Sequence, residues 1–108
     1  MQISYGTADL KHCCLNRDVA EQRFGRTYAD RLVTELADAE AFENVQEWHE
    51  ILGGNVTIND DESFEVAIGS SYTATFVSVD RHVALTDAGR IDWASVDFVK
   101  LTAISEVR

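Results

Sequence analysis

A chain of 108 residues, 45% of them apolar, reads as one domain (residues 1–108) able to bury a core. No apolar run approaches the roughly 20 residues that cross a bilayer, and Met1-Gln2-Ile3-Ser4-Tyr5 lacks a basic segment followed by an apolar block, so no membrane association and no signal peptide are expected and a cytoplasmic location follows by default. Nineteen Asp plus Glu against nine Lys plus Arg give a formal net charge of −10, which repels phosphates and weighs against nucleic-acid binding; solubility or a salty cytoplasm accounts for it, with a basic partner or nucleic-acid mimicry as the sharper alternative.

Ile3 and Tyr5 alternate as a short strand. Thr7 is placed as an N-cap for a helix bearing Leu10 and Leu15. Cys13 and Cys14 are adjacent, so their Cβ vectors diverge and no structural disulfide is expected; one should pack as a small hydrophobe, and a vicinal redox or metal pair is the alternative. A second helix spans about Asp18 to Phe24, stopped by Gly25. The best-patterned helix begins near Thr27. Tyr28, Leu32, Leu36 and Ala39 form its stripe, widened by Ala29, Val33 and Ala37. Asp30, Arg31, Glu35, Asp38 and Glu40 are assigned to the opposite face, with Arg31 and Glu35 four apart. Phe42 to Leu52 is less regular, with Val45, Trp48 and Leu52 making one or two amphipathic turns before Gly53-Gly54.

The stretch from Asn55 to Val79 organises the rest. Asn55–Ile58 is a first sheet strand. Phe64, Val66 and Ile68 alternate with Glu65 and Ala67; after the Gly69-Ser70-Ser71 turn, Tyr72, Ala74 and Phe76 alternate with Thr73, Thr75 and Val77. Asp80 to Asp92 is irregular, its tip near Asp87-Ala88-Gly89 and its return anchored by Ile91 and Trp93. A last strand runs from about Val96 to Val107, with Val99, Leu101 and Ala103 on one face and Phe98 and Ile104 on the other, as in an interior strand covered on both sides. A strand, two or three helices and then a run of strands predict an α+β fold, helices packed on one face of a mainly antiparallel sheet.

Few residues are arranged for catalysis. Gly53-Gly54 lacks the later Gly or Lys of a phosphate loop. His12, His49 and His82 lie in three separate segments, none at metal-ligand spacing. Asp60-Asp61-Glu62 lacks the spaced acids and distal Glu of a calcium loop and reads as a solvated turn. Trp48 and Trp93 read as core or edge packing, with an interaction anchor as the alternative. No cofactor and no metal are expected.

Taken in order, several stretches are similar to one family: Met1 to Tyr5, Leu10 to Cys13, Phe24-Gly25 with the helix carrying Ala29, Leu32, Leu36, Ala39 and Ala41, Gly53 to Val56, Phe64 to Ile68, Phe76, Asp87-Ala88-Gly89-Arg90-Ile91-Asp92-Trp93, and Val99 to Ile104. Over its full length the chain resembles the RelE/ParE toxin superfamily, within it the HigB-type (plasmid maintenance killer protein) branch. The resemblance implies a RelE-like fold, metal-independent endoribonuclease action on ribosome-bound mRNA, and an antitoxin-like partner within a type II toxin–antitoxin module. Such sites gather basic residues and an aromatic or histidine on a concave sheet face, because the 2′-hydroxyl must lose a proton, the phosphate must be held and the leaving oxygen must gain one.

The matching positions here are different. Gly54 falls where the branch has a histidine, and Ile58-Asn59-Asp60-Asp61 falls on its Gly-Asp-Arg-Lys loop, so two cations become two anions. Thr73 takes the next strand's arginine position, and Glu106-Val107-Arg108 replaces Asp-Tyr-His. The expectation is a toxin-like, partner-binding protein with a degenerate nuclease site. The alternatives are an active ribosome-dependent endoribonuclease with a relocated site, using residues such as Arg81, His82, His49 or Arg108, and an acidic nucleic-acid mimic.

Overall fold

The first strand is paired with the last described one, not with its neighbours in the chain. In this computed structural model, which describes residues 1–52, 56–59, 62–79 and 84–106, β1 (Gln2–Tyr5) runs parallel to β5 (Phe98–Glu106), with Gln2 opposite Phe98 and Tyr5 opposite Leu101. The remaining pairs are antiparallel: β5 with β4 (Tyr72–Ser78), β4 with β3 (Ser63–Ile68), and β3 with β2 (Val56–Ile58). The order across the sheet is β1-β5-β4-β3-β2. Between β1 and β2 in the chain come α1 (Ala8–Leu15), α2 (Arg17–Phe24), α3 (Arg26–Ala41) and α4 (Val45–Leu52). The architecture is α+β, and no described helix is long and apolar enough to cross a membrane.

Local chemistry sets the helix boundaries. The Thr7 hydroxyl accepts the Leu10 N–H at 3.1 Å and caps α1. Asn16 ends α1 and caps α2, its side-chain oxygen accepting from Asp18 and Val19 N–H. Gly25 separates α2 from α3 at φ 84, a conformation costly for any residue with a Cβ. The Asn44 side chain accepts the Glu47 N–H at 2.8 Å and starts α4, so the stretch that looked irregular in sequence is a capped helix.

The helices cover one face. Leu32, Leu36 and Ala39 of α3 and Val45 and Trp48 of α4 join Val56, Phe64, Val66, Ile68, Ala74, Phe76, Val99 and Leu101 of the sheet in one buried cluster. Its centre is aromatic. The Phe64 and Phe76 rings stack at 5.2 Å, and Trp48 and Trp93 meet them edge-on at 5.3 to 5.6 Å. A satellite chain runs from Phe24 through Tyr72 to Tyr28, with centroids 4.9 and 5.0 Å apart.

Four expectations need correction. The described helices between β1 and β2 number four, not two or three, because the Asn44 cap makes a helix of the stretch before Gly53. Glu35 is not on the solvent face of α3; it is 8% exposed, one residue from Leu36 and three from Leu32, so the buried stripe is broader on that side, while Ala37 is exposed. Ala103 and Ile104 exchange faces. Thr75 pairs with Ala103 but Phe76 pairs with Leu101, so Thr102 bulges out and resets the alternation. Ile104 thereby joins Ala74 on the helix side and packs on the core. Among the described residues β5, though interior to the sheet, is covered on one face only, because the helices all pack on the other side: Lys100, Thr102 and Ser105 remain exposed.

Candidate functional site

The sheet face that bears no helix is the candidate site. Residues paired directly across strands share a face, so register alone assembles it. Thr57 lies opposite Glu65, Glu65 opposite Thr75, and Thr75 opposite Ala103; Ala67, Thr73 and Ser105 form a second row; Val77 and Lys100 belong to a third. Ser4 and Gln2 extend it onto β1 beside Lys100 and Phe98. Hydroxyls and small apolar side chains dominate. Among its described residues, Glu65 and Lys100 are the charged groups, and they lie in different rows on strands that are not neighbours.

The positions the family resemblance marked are not brought together. Thr73 lies on the open face. Glu106 pairs with Tyr72 and therefore takes the helix-side parity, at the end of β5. Gly54, Asp60, Asp61, Val107 and Arg108 lie outside the described residues, as do Arg81 and His82 of the relocated-site alternative. His49 is half-buried on α4 and His12 is exposed on α1.

Four arginines are engaged elsewhere. Arg23 meets Asp9 at 2.7 Å, Arg17 meets Glu21 at 3.7 Å and also Asp30, Arg31 meets Glu35 at 3.9 Å, and Arg90 meets Glu62 at 3.6 Å. Such pairs add little to stability where solvent reaches them, but they belong to the helical layer and the loop before β5. A single lysine on the open face can attract a phosphate. It cannot also serve as base toward a 2′-hydroxyl and acid toward the leaving oxygen.

The buried titratable groups are equally unsuited to chemistry. Burial first, and the neighbouring Cys13 second, push the Cys14 thiol up to about 12; burial also raises Cys13, against the opposing pull of Arg23. Both thiols are free and buried, so they stay protonated and inert at neutral pH. That favours the packing reading over a vicinal redox pair. Burial raises the Glu35 carboxyl, with Arg31 pulling it back down, and one of its oxygens has no hydrogen-bond partner. Tyr28 is lowered by hydrogen bonds with Ser70 and Ser71, the latter at 2.7 Å. Among the described residues, no group of three or more His, Cys, Asp or Glu is placed to hold a metal ion.

The missed residues are Thr57, Glu65, Thr75 and Lys100. They occupy the polar half of the alternation already visible in sequence, but which half faces open solvent depends on where the helices pack. Comparisons with protein-family models, curated proteins and solved structures returned no match to this chain.

Proposed function

We propose that this chain is a catalytically silent relative of the HigB-type RelE/ParE toxins, a toxin-like component of a type II toxin–antitoxin module that binds an antitoxin-like protein in the cytoplasm. The reading rests on the family-like stretches in order along the sequence, beside an α+β fold whose helices leave one sheet face open. The observation that carries the loss of nuclease activity is that open face: Glu65 and Lys100 are its charged groups among the described residues, and Thr73 stands where the resemblance places an arginine. Hydroxyl-rich, nearly neutral strands suit protein contact better than phosphate capture.

Co-expression with the product of the adjacent reading frame, followed by size-exclusion chromatography, tests the reading. A stable complex at micromolar concentration, with no growth arrest when this chain is induced alone, is the expected result. Growth arrest with ribosome-dependent transcript cleavage would overturn the silent-site part and favour the relocated-site enzyme.

A further inference from the structure

The corner where α3 meets the β3–β4 turn holds a cavity of about 410 Å³, lined by Thr27, Tyr28, Arg31, Gly69 and Ser70. The Tyr28 ring is fixed there from two sides. Tyr72 meets it edge-on at 5.0 Å, and Gly69, with φ +64, lets the turn pass so close that a Cβ would stand 2.7 Å from the ring. The Tyr28 hydroxyl thereby reaches the turn, 2.7 Å from the Ser71 hydroxyl and 3.3 Å from that of Ser70. These three hydroxyls carry three protons but share two contacts, and among the described residues they make no other hydrogen bond. At least one O–H is left to donate outward.

Arg31 stands three residues along α3 from Tyr28, on the same face of the helix. Its side chain is 55% exposed, and Glu35 is its ionic partner at 3.9 Å, too far for a hydrogen bond. Among the described residues none of the Arg31 guanidinium N–H groups makes one. The local charge also differs in sign from that of the chain. Residues 11–31 hold five of the nine Lys plus Arg but three of the nineteen Asp plus Glu. The first turn of α3 has no acid, and Asp30, beside Arg31 in sequence, is engaged by Arg17. Arg26 is exposed and forms no ion pair among the described residues.

We propose that this corner binds the phosphate group of a small phosphate monoester. The Arg31 fork takes two phosphate oxygens, and the spare proton of the Tyr28, Ser70 and Ser71 hydroxyls, with the Thr27 hydroxyl, donates to the remainder. Donors set on two walls, helix and turn, suit a tetrahedral group with three terminal oxygens better than a planar carboxylate with two. The cavity is many times the roughly 30 Å³ that a water takes in the liquid, so the group carrying the phosphate has room beside it. The Tyr28 hydroxyl is held before the ligand arrives, which lowers the ordering cost of binding. The inference goes beyond the toxin-like reading and does not depend on it, since the corner lies on the helix side of the sheet and not on the open face.

Titration of the full chain with glycerol 3-phosphate and with inorganic phosphate, at constant ionic strength in chloride and followed by amide NMR, is the test. The expected result is saturable shifts at Thr27, Tyr28, Ser70 and Ser71, with glycerol 3-phosphate binding the tighter of the two. Arg31→Gln weakens binding by about tenfold or more, and Tyr28→Phe, which keeps the ring, by about threefold. Glu35→Gln tightens it, because the acid that competes for the same guanidinium is gone. Arg31 is exposed, and an unchanged melting curve would show that Arg31→Gln folds. No saturable shift at the corner overturns the inference, as does a response indifferent to Arg31→Gln or equally strong binding of acetate. Inorganic phosphate binding as tightly as the ester overturns the assignment to a monoester.

Discussion

The two faces of the sheet are made by the same strands and share one backbone, yet they carry opposite chemistry. On the helix side, Phe64, Val66, Ile68, Ala74, Phe76, Val99 and Leu101 are buried almost completely. On the other, Glu65, Ala67, Thr73, Thr75 and Val77 stay partly solvated, and Lys100 is exposed. The contrast teaches that stability here is concentrated on one side, leaving the other free to vary without unfolding the domain.

The largest test of that contrast is Trp48→Ala. Removing a fully buried indole wedged against Phe64 and Phe76 is expected to cost about 3–5 kcal/mol. Thermal unfolding would show most of the domain's stability gone. Gly69→Ala probes the corner between α3 and the β3–β4 turn. Gly69 has φ +64, and a Cβ there would come within 2.7 Å of the Tyr28 ring; about 2 kcal/mol is expected, read by chemical denaturation.

Glu35→Gln probes the one carboxylate buried on the helix side among the described residues, with about 1 kcal/mol of gain at neutral pH. Burial raises the Glu35 carboxyl in the folded chain above its ordinary 4.5, so the folded state holds the proton more tightly than the unfolded one. The wild-type penalty is therefore full above the folded pKa. It fades as pH falls toward the unfolded value, and the gap between the two proteins' melting temperatures should close over that window. The smallest effect belongs to the open face. Thr75→Val should change stability by less than about 0.5 kcal/mol in urea unfolding; a cost as large as that of Trp48→Ala would erase the distinction between the faces.

Much of the fold was legible because its signals are local. A hydroxyl at Thr7, glycines at Gly25 and Gly69, and strict alternation through β3 and β4 each act within a few residues. The bulge at Thr102 was not legible, since one extra residue in β5 is defined only against its partner β4. Nor was the burial of Glu35, which depends on how the helices pack on one another and on the sheet. The site was less legible still: alternation separates two faces but does not say which one the helices leave open. Thr73 fell on the open face, while Glu106 fell on the other parity after the bulge.

The pairing of Gln2 with Phe98 has a consequence for synthesis. β1 is made before every other described element, but its only strand partner among the described residues, β5, is made after all of them. Until then the nascent chain can assemble helices and the β3–β4 hairpin, with β1 still unseated. Closing a loop of that length comes late and slowly, so the last committed step of folding should be the arrival of β5 between β1 and β4.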